Sequence, residues 1–439
     1  MAETSFEYLT RAARGGIAVR ARGHITSIDR GVVMARGLGR SAAIGDMVRL
    51  ADAGRGEIVG AGAHEVVIIP ERRIEGLSPG LPVTLMGAEE VHPDDSWMGR
   101  IVDPSGQPLD GRALLPGARA MPIFAPPPDA AGRNGLGARL ETGFCAFNTL
   151  LPIVRGQRIG LFAGSGVGKS TLMGQLATGV DADVVVIALV GERGRELRHF
   201  VEHVLGPEVM ARTVVVAATS DQSASMRRKC AATATSVAEH FRDTGRHVLL
   251  LVDSVTRFAD AHREVAFARG EAPAMSGYPA SLLPGITGLC ERAGPGRIGD
   301  GDITAIYTVL VAGSDMEGPV ADILRGTLDG HVVLDRQIAE RGRFPAIDML
   351  RSVSRALPGA ANDRENLLLG EARRLLGAYE RSEMMIRAGL YAAGSDKVLD
   401  AAIEAWPKLD AFIGAMEKRT TQESFVALAR CLRRGTARE

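Results

Sequence analysis

The chain has 439 residues, enough for about two to four domains and a large buried core. Lys plus Arg and Asp plus Glu stand at 52 each, so no overall field recruits nucleic acid or an anionic membrane, and small ligands and protein partners come first. Cys145, Cys230, Cys290 and Cys431 lie far apart and form no C-x-x-C pair, which points to reduced thiols in the cytoplasm and away from a disulfide framework. Apolar runs such as Val184 to Val190 fall far short of a membrane span, and Glu3 and Glu7 interrupt any secretory core. Membrane contact is therefore expected to be peripheral.

Taken in order, residues 1–22 make a separate segment in which Phe6, Leu9 and Ala13 share one face of a short helix over 3–14. Such a helix caps the first domain or docks on a partner. Residues 23–90 carry short β-rich runs at 25–28, 31–34, 46–50 and 65–69 between glycine turns, which predicts a small β-barrel. Prolines and glycines over 91–141, including Pro126-Pro127-Pro128, exclude long regular elements and mark a connecting region. Over 142–360, apolar runs at 184–190, 213–217 and 247–252 alternate with helical patterns, as buried parallel strands of an α/β domain do. Residues 361–439 read as a helical domain, with helices expected at 365–378, 382–388, 398–403 and 424–432.

The chemistry concentrates in Ala163-Gly164-Ser165-Gly166-Val167-Gly168-Lys169-Ser170-Thr171, between the strand 157–162 and a helical stripe of Leu172, Leu176 and Ala177. This is the P-loop pattern, with Ala163 at its usual first glycine. Glycines let successive backbone N–H groups turn toward phosphate oxygens, Lys169 reaches the β- and γ-phosphates, and the Ser170 hydroxyl is placed to ligate Mg²⁺. Binding alone does not hydrolyse ATP. The apolar strand 248–252 ends in Asp253, the Walker B form, which puts this acid in the metal shell through a water. Glu192, after the strand ending at Val190, is placed to orient or deprotonate the attacking water, with Arg193 and Arg257 near the phosphates. Glu192 and Glu196 are also what a helix dipole favours in a first turn.

Three other patterns are set aside. His199-Phe200-Val201-Glu202-His203 has the H-x-x-E-H form of a zinc site, but it follows directly on the Glu192 loop. Arg227-Arg228-Lys229 is expected to be a solvated helix face or a subunit contact, since no aromatic platform accompanies it. Asp300-Gly301-Asp302 lacks the ligand count of an EF-hand and reads as a turn before the strand 303–311.

The segments 157–170, 189–197 and 253–258, extended by 276–279, 328–334 and 344–355, resemble the catalytic chain of rotary-type ATPases. Within that superfamily the chain is most similar to the flagellar and type III secretion export ATPases, over about residues 23–430. The resemblance implies an N-terminal β-barrel, a central RecA-like domain and a C-terminal helical domain. It also implies a homohexameric ring with nucleotide between neighbours. Carried over by motif, Lys169 and Ser170 hold phosphate and Mg²⁺, Glu192 is the catalytic carboxylate and Asp253 the Walker B acid. Arg355 matches the arginine finger reaching the next subunit's γ-phosphate, and Phe344 the aromatic that packs on adenine. The implied partners are a stator or regulator protein, a central stalk, chaperone–substrate complexes and an export gate at the inner membrane, without nucleic acid. A virulence injectisome ATPase and an F- or V-type catalytic β subunit are the alternatives. For the latter, residues 395–400 lack its acidic rotor-contact motif.

Overall fold

In the computed structural model, residues 20–433 are described except 30, 52–53, 72–74, 312–316 and 417–419. The helix expected over 3–14 lies outside the described residues. Strands β1 (Arg22–Asp29), β2 (Val32–Arg36), β3 (Asp46–Leu50), β4 (Arg55–Ala61), β5 (Glu65–Pro70) and β6 (Pro82–Ala88) close into an antiparallel barrel in the order β1-β2-β5-β4-β3-β6. Closure leaves no edge to pair with another chain. Ile25, Val33, Ala35, Val48, Ile58, Ile68 and Val83 fill the interior. Strand β4 carries little sequence signal because Gly56, Glu57 and Gly60 break the apolar alternation. Glu57 is nonetheless buried.

The central sheet runs β14-β13-β8-β12-β11-β9-β10-β7. Along this path lie β7 (Arg100–Val102), β8 (Arg158–Ala163), β9 (Val184–Glu192), β10 (Thr213–Thr219), β11 (His247–Asp253), β12 (Asp302–Leu310), β13 (Gly330–Leu334) and β14 (Ile347–Ser354), and the short strand Gly294–Pro295 pairs with β12 beside it. All pairs along this order are parallel except β13 with β14. Because both faces are covered, β9 and β11 are continuous apolar runs, buried at nearly every residue. One face packs under helix α1 (Lys169–Gly179), helix α2 (Gly194–His199) and the C-terminal helices, the other under α3 (Ala224–Asp243), α4 (Val255–Ala268) and α5 (Leu282–Glu291). Asp302 starts β12 and receives Arg155 and the Gly296 N–H, as the expected turn requires.

Helix α3 corrects the expectation for Arg227-Arg228-Lys229. Arg228 and Lys229 are buried, because the barrel supplies their counter-charges. Lys229 Nζ stands 2.8 Å from Glu71 and 2.6 Å from Glu89, and Arg228 pairs with Glu57, which also accepts from Ser225. Attraction to these carboxylates outweighs the burial of the ammonium, so the Lys229 pKa is raised and that of Glu89 lowered. The barrel is thus joined to the central domain by a buried ionic cluster.

At the C-terminus, the helices expected at 365–378 and 382–388 are one helix, α6 (Asp363–Arg387). No Gly or Pro between the two runs stops it, and an Asn362–Glu365 capping box starts it. Helix α7 (Lys397–Gly414) continues well past 403 and through Pro407, and α8 (Thr421–Leu432) follows. Tyr379 of α6 stacks on Trp406 of α7 with ring centroids 4.6 Å apart.

Candidate nucleotide site

The site forms where the neighbouring strands β8, β12, β11 and β9 end, the position at which open parallel sheets bind ligands. After β8, Gly166 and Gly168 take φ of 78° and 85°, the left-handed region that glycine enters without a steric penalty. The loop so made delivers Lys169 to the first position of α1, whose leading N–H groups have no carbonyl partner inside the helix. Together they form an anion-binding cradle.

The cleft above it has a volume of about 650 Å³ and is lined by Gly164, Ser165, Gly166, Gly168, Lys169, Ser170, Thr171, Glu192, Asp253 and Arg257. Val167 is buried beneath the loop. Lys169 Nζ pairs with Asp253 Oδ1, and the same oxygen accepts a 2.7 Å bond from the Thr308 hydroxyl. Asp253 is buried, so these two contacts hold its carboxylate in place. The Ser170 hydroxyl and this carboxylate are hard oxygen donors of the kind Mg²⁺ takes.

Glu192 closes β9 and is pushed up to about 7, first by burial, then by its hydrogen bond to the Glu196 carboxyl and by the Asp253 charge. Glu196, on the first turn of α2, is correspondingly lowered. The phenyl ring of Phe344 is 53% exposed and covers Gly168 so closely that a Cβ there would stand 3.3 Å from its Cδ1. It presents an exposed aromatic face at the loop.

Two expected members stand elsewhere. Arg193 is at the N-terminus of α2 with its side chain 73% exposed and ion-paired to Glu196, and it does not line the cleft. The loop that carries Glu192 turns the next side chain outward. Arg355 follows β14 and donates a 2.9 Å bond to the Arg325 carbonyl, also away from this cleft. Conversely, Thr308, Glu196 and Phe200 belong to the site without a clear sequence signal. Thr308 sits inside an apolar strand, and Glu196 reads as an ordinary first-turn acid. His199 and His203 lie with rings 5.1 Å apart, and no metal-holding group of three such side chains exists among the described residues.

A parallel sheet with a P-loop, a strand-end acid and a second carboxylate over one cleft defines a P-loop nucleoside triphosphatase. Residues 143–354 match the ATP synthase alpha/beta family, nucleotide-binding domain, and 362–430 match the T3SS EscN ATPase C-terminal domain. The chain is 42% identical to the flagellum-specific ATP synthase of Caulobacter vibrioides, over 96% of this chain and 95% of that one. The assembled EscN ATPase of the enteropathogenic E. coli type III secretion system superimposes with a TM-score of 0.88 at 36% identity, covering 94% of this chain and all of that one. EscN in complex with its central stalk EscO gives 0.85 at the same identity and coverage. The chain belongs to the flagellum-specific and type III secretion ATPases of the ATP synthase alpha/beta family.

Proposed function

We propose that the chain is a ring-forming ATPase that energises flagellar protein export, with its catalytic sites completed between neighbouring subunits. The observation that carries this reading is the convergence of Lys169, Ser170, Glu192 and Asp253 on one cleft above the P-loop. Lys169 leaves Asp253 for the β- and γ-phosphates when nucleotide enters, and loop N–H groups take up the remaining phosphate oxygens. Ser170 and Asp253 would hold Mg²⁺, which would neutralise charge on the phosphates. Glu192, with a pKa near the working pH, orients the attacking water and takes its proton. Arg257 lines the same cleft and supports the phosphates. Phe344 offers its exposed ring to adenine, and Arg355 reaches the γ-phosphate of the next subunit. Arg193, exposed beside the Glu192 loop, is proposed to approach the phosphates only once nucleotide and a neighbouring subunit are in place.

The partners follow from the family: further copies in a homohexamer, a central stalk as in the EscN–EscO complex, a stator or regulator, chaperone–substrate complexes and the export gate. No helix among the described residues is long and apolar enough to cross a membrane, which suits a cytoplasmic ring held peripherally at the inner membrane. The match of 362–430 to the EscN C-terminal domain favours the export branch over a synthase β subunit. The identity to flagellar relatives over nearly the whole chain favours flagellar export over an injectisome.

The test is ATP turnover by the purified chain across a wide concentration range, with sedimentation on the same samples. Specific activity rising as a hexamer appears is the expected result. Activity that appears only with a second, noncatalytic ring subunit would overturn it in favour of a synthase-type machine.

A further inference from the structure

Arg355 projects from the end of β14, and among the described residues its guanidinium is held in this subunit by the Arg325 carbonyl. Its backbone is fastened far more firmly. The Arg355 N–H donates to the Asp329 carbonyl at 2.9 Å, and the preceding Ser354 lies opposite Gly330 in the antiparallel pair. That approach is close: a Cβ on Gly330 would stand 2.6 Å from the Val353 carbonyl oxygen.

Into this junction reaches Gln157, the residue before β8, with no exposed surface. Its side-chain amide donates to the Asp329 carbonyl at 3.1 Å and to the Ser354 hydroxyl at 3.2 Å. The Ser354 hydroxyl in turn donates to the Pro152 carbonyl at 2.6 Å, and the Gln157 amide oxygen accepts from the Val154 N–H at 2.9 Å. Asp329 grips the next residue, taking the Arg158 N–H at 3.0 Å and its guanidinium at 3.1 and 3.2 Å. The Gln157 amide nitrogen thus ties together the two segments from which Arg355 departs, while its amide oxygen anchors it to its own turn at Val154.

We propose that Gln157 is a positioning residue for Arg355, setting the direction in which the guanidinium is presented to the neighbouring subunit. This rests on the reading of Arg355 as a finger acting in trans. A buried, fully bonded amide at the base of a long side chain limits its sweep, and small angular errors at the base become large displacements at the tip. Because Gln157 directly precedes the strand that ends in the P-loop, the finger of each subunit is mounted on the same rod as its own phosphate loop.

The test uses Gln157→Met, which keeps the length and loses the amide, and Ser354→Ala, which removes the acceptor from the other side with little change in volume. Homogeneous rings of either variant are expected to lose about tenfold in kcat while KM for ATP stays within about twofold. Each variant is then mixed 1:1 with Lys169→Ala, whose finger is intact. Random assembly makes about one interface in four wholly native, so turnover is expected to rise to about a quarter of wild type, against about one twentieth without complementation. The Arg355→Ala and Lys169→Ala pair is the control. Recovery in the control but in neither positioning pair overturns the role of Gln157, since a merely structural defect stays with its own subunit. No recovery in the control overturns the trans reading of Arg355, and the proposal with it.

Discussion

Substituting Lys229 by Met tests the joint between barrel and central domain. The side chains have similar length, so the change removes a charge and leaves the packing volume nearly unaltered. In the native protein the ammonium is 1% exposed between Glu71 and Glu89, and among the described residues Arg55 is the other cation that meets both. Without Lys229 these carboxylates lose the fully buried member of that pair of counter-charges. Breaking one side of a buried ion cluster costs about 3–5 kcal/mol, and the loss should appear as a lower urea midpoint at pH 7.5. Its pH dependence is diagnostic. Glu89 titrates below its usual value in the native protein; in the variant its folded-state pKa rises above the unfolded one. The ionised form is then penalised by folding, so the deficit is largest at pH 7.5 and shrinks as the pH falls toward 5. Adding Glu89→Gln to Lys229→Met should recover much of the loss. A deficit below about 1 kcal/mol, or one that does not change with pH, would refute the reasoning and reduce Lys229 to a space-filling role.

Glu192→Gln should retain binding of a fluorescent ATP analogue and lose about 10²–10⁴ in turnover, and unchanged steady-state turnover would remove Glu192 from its assigned part. In α1, a Cβ on Gly174 would stand 2.2 Å from Val204 Cγ1 in the π-helical turn Phe200–Leu205. Gly174→Ala should therefore destabilise by about 1–3 kcal/mol in thermal melts, and Val204→Ala in the same chain should restore most of it. His262 is held down at about 4 by burial and by the Arg228 and Arg269 charges, against the opposing effect of Glu271, while its ring bonds Ser281. Since folding favours the neutral ring, its contribution is complete above the unfolded value near 6.5 and fades as pH falls from there toward 4. Urea midpoints between pH 7 and 5 should fall less steeply in His262→Gln than in the native chain.

The parts of the site that the sequence reveals are those whose chemistry is contiguous. The P-loop, the acid at the end of β11 and the carboxylate after β9 each sit in a short pattern whose spacing the backbone geometry demands. What escaped the sequence depends on partners far along the chain. Lys229 pairs with acids 140 and 158 residues away, so Arg227-Arg228-Lys229 looks like a solvated face until the barrel is in place. Thr308 reaches Asp253 across adjacent strands, a relation set by sheet order and invisible in local periodicity. Strand β4 was obscured by the glycines that let it pass close to Ile68 and by a glutamate that faces the joint. Helix α6 was divided in expectation because Tyr379, Glu380 and Arg381 interrupt the apolar stripe, although none of them breaks a helix. Arg193 shows the limit of adjacency, since standing next to Glu192 in sequence does not by itself bring its side chain into the cleft of this subunit.

The chain contains two tryptophans, and their placement gives the molecule a pair of intrinsic reporters. Trp97 is buried in the connecting region, its ring 3.0 Å from where a Cβ on Gly106 would stand, while Trp406 is stacked on Tyr379 among the C-terminal helices. Neither lines the nucleotide cleft. A spectral change on adding ATP would therefore report on packing in these two regions. Acrylamide quenching would sort the two signals, because the stacked indole lies nearer to solvent than the buried one.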